Sequence, residues 1–121
     1  MNSMPRIEDI ARAALSGDAL AVRSLTQDLL ASGCALTAIP RPDRAETRVL
    51  AVAAALAELL ALRAGVSPPA WTAGVGALDE PLYLVRAAAT MPRLRSLCQR
   101  ESPEPLRRRK IYAPPDYLAA A

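Results

Sequence analysis

The side chains with chemical reach in this 121-residue chain are few, and most of them are cationic. Four consecutive cations, Arg107, Arg108, Arg109 and Lys110, are followed by Ile111, Tyr112, Tyr117 and Leu118 on a track stiffened by Pro114 and Pro115. Guanidinium groups take carboxylates and phosphates in planar two-point contacts. Aromatic side chains supply the desolvated anchors of an interface. A purely solvating tail has little reason to hold apolar anchors at intervals. A segment that docks needs them, with a backbone that has little entropy left to lose. The run therefore reads as a binding segment. Arg107 to Lys110 supply charge complementarity and on-rate, and Tyr112, Tyr117 and Leu118 supply the anchors. Two plainer readings compete: a solvated, flexible face, and a tail that lies back over its own helices.

The rest of the inventory is poor in catalytic material. The chain has no His, the commonest general base and metal ligand. It carries no Gly-rich phosphate loop, no nucleophile elbow and no paired metal-ligand spacing. Gly74-Val75-Gly76 is too short and too proline-flanked for a dinucleotide fingerprint. Cys34 and Cys98 match no zinc or redox spacing. Arg95 and Arg100 near Cys98 would lower its thiol pKa, against the plainer reading of a half-buried small apolar residue. These features predict a non-enzyme with no cofactor and no metal. The remaining contact candidates are Trp71, as a loop anchor of the core or an interface anchor, Tyr83 with Arg86 three residues on, and Arg93 and Arg95 off an apolar stripe.

Helices must position these groups. Of the apolar residues, which are 52% of the chain, 26 are Ala and none is Phe. Such a core favours close-packed helices over a sheet. The first helix should start after Ser3 or Met4, with Pro5 in its first turn and Ile7, Ile10, Ala11, Ala14 and Leu15 on one face. Gly17 ends it and Asp18 caps a second, about 19–32, with Val22, Leu25, Leu29 and Leu30 inward; the short junction makes a hairpin. Asp43 and Glu46 form an Asp-x-x-Glu capping box, and a third helix should run from Arg44 to Ala64 and end at Gly65. It is apolar on most sides and so central. A fourth helix is expected after Asp79, with Pro81 in its first turn and Leu82, Val85 and Ala89 inward. A fifth follows Pro92, about 93–100. Ser102-Pro103 opens one short turn through Arg108, and Ala113-Pro114-Pro115 enforces an extended path. The fold class is thus all-α: a single small bundle of about five helices over 1–100, with a Pro/Arg-rich, extended basic C-terminal arm over 101–121.

Bulk numbers sharpen the contrast between body and arm. Residues 1–80 carry seven Arg against nine acids, a net of −2, whereas 81–121 carry seven Arg and one Lys against three acids, a net of +5. A basic end on a mildly acidic body implies an acidic partner surface, protein or nucleic acid. The N-terminus has no apolar h-region, and the most apolar run, 49–62, falls short of the roughly 20 residues that span a bilayer. A cytoplasmic protein that does not enter a membrane is the expectation.

The second half also resembles a family. Pro69-Ala-Trp-Thr, Val75-Gly76, Glu80-Pro-Leu-Tyr-Leu-Val-Arg-Ala-Ala, Met91-Pro-Arg-Leu-Arg and Glu101-Ser-Pro-Glu-Pro-Leu-Arg-Arg-Arg with Tyr112-Ala-Pro-Pro resemble small bacterial helical proteins encoded beside nucleotidyltransferase-like toxins. The likeness covers about residues 69–118, with a looser one before it. It implies an antitoxin-like partner that binds and silences a toxin enzyme, with the basic segment along the enzyme's acidic mouth. The alternative from another class is a nucleic-acid-binding accessory or regulator: Arg clusters beside a tyrosine suit phosphate contact and base stacking, although no recognition helix is evident. Homo-oligomerisation through an apolar helical face is a third.

Overall fold

A computed structural model describes residues 5–118. It is mostly helical: α1 (Ile7–Leu15), α2 (Ala19–Ala31), α3 (Thr47–Ala64), α4 (Pro92–Glu101) and the single turn α5 (Glu104–Arg107). Two-residue strands β1 (Leu82–Tyr83) and β2 (Ile111–Tyr112) pair in parallel, Leu82 opposite Ile111 and Tyr83 opposite Tyr112. Short 3-10 segments occupy Ala70–Gly74 and Arg86–Ala89. No helix among the described residues is long and apolar enough to cross a membrane.

α3 is the axis. Every residue from Ala51 to Ala61 is buried, because a helix apolar on nearly all sides can only be satisfied by neighbours on all sides. Its many alanines let those neighbours come close. α1 lays Ile7, Ile10, Ala11 and Ala14 against it, and α2 adds Val22 and Leu29 beside α1, whereas Leu30, expected inward, turns to the exposed side of the helix. The hairpin signals act as the sequence implies. Gly17 is left-handed at φ 73° and the Asp18 side chain accepts the Ala21 N–H at 3.0 Å. At the start of α1 the Asp9 carboxylate accepts the Arg6 N–H at 2.9 Å, so the helix begins two residues later than Pro5 suggested.

Two expectations fail. The third helix does not begin at Arg44: Arg44 takes a left-handed φ of 55°, Glu46 becomes the N-cap, and neither an Asp43 cap nor a box forms. The fourth helix predicted after Asp79 does not exist. Leu82 and Tyr83 are drawn into a strand because the C-terminal segment offers them a ladder: Leu82 N–H donates to Lys110 O at 2.9 Å and Leu84 N–H to Tyr112 O at 3.0 Å. Strand pairing with a distant segment overrides the helical preference of Leu-Val-Arg-Ala-Ala, which survives only as the 3-10 turn 86–89.

The C-terminal segment is not the extended arm expected: α5 and the turns at 108–110 and 115–118 fold it back over its own helices, and only Ile111–Tyr112 run as a strand. α5 packs on α3, and Leu106, Ile111 and Ala113 have no exposed surface. The Ser102 hydroxyl accepts the Ala113 N–H at 2.9 Å and lies against the Cys98 and Ala113 carbonyls. Residues 119–121 of the expected arm, like residues 1–4, lie outside the described residues.

Candidate functional site

The four-cation run divides by role. Arg109 is the largest fully buried side chain of the described residues. Its Nη1 and Nη2 hold Glu58 Oε1 at 2.6 Å and Oε2 at 2.9 Å. Its other donors reach Val75 O at 3.1 Å, Pro105 O at 3.0 Å and Thr72 O at 2.9 Å. All five guanidinium N–H groups are therefore satisfied, the condition under which a charge tolerates burial. Arg108, half-exposed, adds a second bond to Glu58 Oε1. Burial raises the Glu58 pKa, but the Arg109 hydrogen bonds, the nearby Thr72 and the two positive charges outweigh it, so its carboxyl sits below the ordinary value.

This pair corrects the sequence reading of Arg109, which cannot meet a partner from inside the core. It is a clasp between α3 and the C-terminal segment. The signal was present: Glu58 is the single charge within the apolar run 49–62, and a lone acid there demands a cation from elsewhere.

Arg107 and Lys110, fixed by the clasp between them, remain exposed. The left-handed backbone of Lys110, φ 62°, turns the chain so that Ile111 points inward, and its Nζ lies 3.5 Å from Asp79 O. Arg107 donates to Arg100 O, the last turn of α4, at 3.1 Å. On the same helix Gln99 hydrogen-bonds the Tyr83 hydroxyl. Tyr83 stacks on Tyr112 with ring centroids 5.3 Å apart and planes tilted by 36°. Tyr112, Tyr83, Gln99, Arg100 and Arg107 are thus linked in one basic and aromatic strip. Gln99 and Arg100 were missed as site residues because α4 reaches the tyrosines only through tertiary packing, on the 86–89 segment and through Ser102 to Ala113. Glu101, 3.9 Å from Arg100, and exposed Glu104 temper its charge.

Among the described residues, the other candidates make no hydrogen bond to the strip. Arg93 is exposed on α4. Arg95 folds back on Ala88 O and Ala89 O at 3.0 and 2.6 Å, a capping role. Trp71 is half-buried and donates its indole N–H to Ile39 O at 2.7 Å, which is the loop-anchor reading. Cys98 is buried, the plainer reading of a small apolar residue, and burial pushes its thiol pKa up. Arg86 lies across Gly17 and donates to Ser16 O. Tyr117 and Leu118 close a separate apolar pocket with it. No group of three or more His, Cys, Asp or Glu side chains suited to a metal occurs among the described residues. No family model, no curated protein and no solved structure matches the chain.

Proposed function

We propose that the chain is a non-catalytic protein-binding module, an antitoxin-like inhibitor that docks on an acidic partner enzyme through the strip from Tyr112 to Arg107. The resemblance of residues 69–118 to proteins encoded beside nucleotidyltransferase-like toxins motivates the partner class. The observation that carries the reading is the clasp. Arg109 and Glu58 hold the C-terminal segment on α3, so Arg107, Lys110 and the tyrosine pair are presented on a fixed backbone. Little backbone entropy then remains to be lost on docking. The cations steer an acidic partner, and the aromatic pair supplies desolvated area.

The experiment is co-purification with the product of the adjacent reading frame. The wild-type complex should persist at about 0.5 M salt, because aromatic contacts are not screened. R100E/R107E should retain a cooperative thermal melt and lose the partner. Retention of the partner by that variant removes the strip from the mechanism. The competing reading, nucleic-acid binding, predicts affinity that collapses with salt in proportion to phosphates neutralised. The stacking of the tyrosines on each other, which occupies one face of each ring, favours the protein partner.

A further inference from the structure

The α1–α2 hairpin, Leu84 and the last described residues line an open pocket of about 180 Å³. Ala14, Val22 and Leu84 are buried and form an apolar floor. Tyr117 and Leu118 form one wall. That wall is built rather than loose: Arg63 on α3 donates to the Tyr117 and Pro115 carbonyls, the latter at 3.3 Å. The Tyr117 phenol is buried enough for its pKa to be pushed up to about 12, so it stays neutral there.

Two arginines line the same pocket, Arg23 on α2 and Arg86 across the hairpin turn at Gly17. Arg86 is held by the missing side chain of Gly17. A Cβ there would fall 2.4 to 2.9 Å from Arg86 Nε, Cγ and Cδ. The contact lays the arginine over the hairpin turn and leaves part of its donor fork unused after its bond to Ser16 O. Neither arginine has a carboxylate within ion-pair distance among the described residues. Apolar depth with cations at the rim selects for a guest of the same polarity pattern. The space is close to that of an apolar cavity of ~150 Å³ that accepts benzene, so about six carbon atoms fill it. A nucleotide is too large, and a bare phosphate would leave the apolar floor uncovered.

We infer that this pocket binds a short aliphatic or aromatic monocarboxylate, its hydrocarbon part on Val22 and Leu84 and its carboxylate between Arg23 and Arg86. The ligand would bridge the hairpin and the C-terminal segment. The site is separate from the docking strip and does not depend on that reading.

The test is an NMR titration of the full-length protein with 4-methylpentanoate, with 4-methylpentanamide and acetate as controls. Saturable shifts are expected at Ala14, Val22, Leu84 and Leu118, with a dissociation constant on the order of 1 mM for so small a guest. The amide and acetate should each bind about tenfold more weakly, one lacking charge and the other lacking apolar contact. R86Q and R23Q should each weaken 4-methylpentanoate about tenfold. The Arg23 side chain is exposed and makes no hydrogen bond among the described residues, so R23Q keeps the test decisive should R86Q disturb the turn. Equal binding of acid and amide, equal binding of acetate, shifts confined to other surfaces, or no saturation overturns the inference.

Discussion

The Glu58 and Arg109 side chains carry a sharp expectation at the residue scale. Removing one member leaves the other charged and buried, which costs about 3–5 kcal/mol. R109M and E58L should each lower the midpoint of urea unfolding severely. The E58L/R109M double variant should recover part of the loss, since two apolar side chains replace two desolvated ions. Arg108 still reaches Glu58 in R109M, so R109M should be the milder of the two single changes. The pair also fixes an acid limit. The Glu58 pKa in the folded state lies below its ordinary 4.5, so the folded state binds the proton less readily than the unfolded chain. Its stabilisation is complete above pH 4.5 and is lost as pH falls below that value through the folded pKa. Urea midpoints measured from pH 6 to pH 3 should fall steeply for wild type and less steeply for E58Q. Equal slopes would remove the carboxylate from the acid limit.

Among the elements, the α1–α2 turn is the most exposed to a single methyl group. Gly17 has φ 73° and Arg86 against its open side. G17A should cost about 1–2 kcal/mol from the left-handed backbone. It should also push the Arg86 side chain, a flexible end that can swing out, off Ser16 O. Gly33 is equally left-handed, at φ 77°, but has open space around it. G33A should therefore incur the backbone cost alone, and thermal melts of the two variants measure the difference. This hairpin was legible in the sequence because its signals are local: a glycine with positive φ, an aspartate cap and a periodic apolar face all act within a few residues. The centrality of α3 was legible for a similar reason, since its apolar run closes around the helix. The absent fourth helix was not. Leu82-Tyr83-Leu84-Val85 serves helix or strand equally well, and a partner 29 residues away decides between them. The site divides on the same line. Residue types marked Arg107, Lys110, Tyr83 and Tyr112 as candidates, but the burial of Arg109 follows from a pairing with Glu58 across 51 residues, and local pattern carries no information on that distance.

For the whole molecule, the decisive property is that the basic C-terminal segment is part of the core. Leu106, Ile111 and Ala113 are wholly buried, and β2 completes the only ladder available to β1 among the described residues. Deleting residues 103–121 would uncover the α3 face beneath them, leave Glu58 buried without either arginine, and strand the Leu82 and Leu84 N–H groups. Domains of this size hold only about 5–15 kcal/mol of net stability, less than those losses combined. The truncated chain should therefore lose its cooperative melt and its near-ultraviolet dichroism, with helical far-ultraviolet signal partly retained, as in a loosely packed state. A tail that merely carried binding charge would instead leave the melt of residues 1–102 unchanged. Truncation thus cannot separate binding from folding in this protein, whereas R100E/R107E can, because both side chains are exposed. The variant loses the Arg107 bond to Arg100 O and sets new acids beside Glu101 and Glu104, a cost of about 1–2 kcal/mol that lowers the melt without abolishing it. A melt that stays cooperative in the charge-reversed variant, with the partner lost, and is abolished in the truncated one would show that the segment that completes the fold also presents the charge.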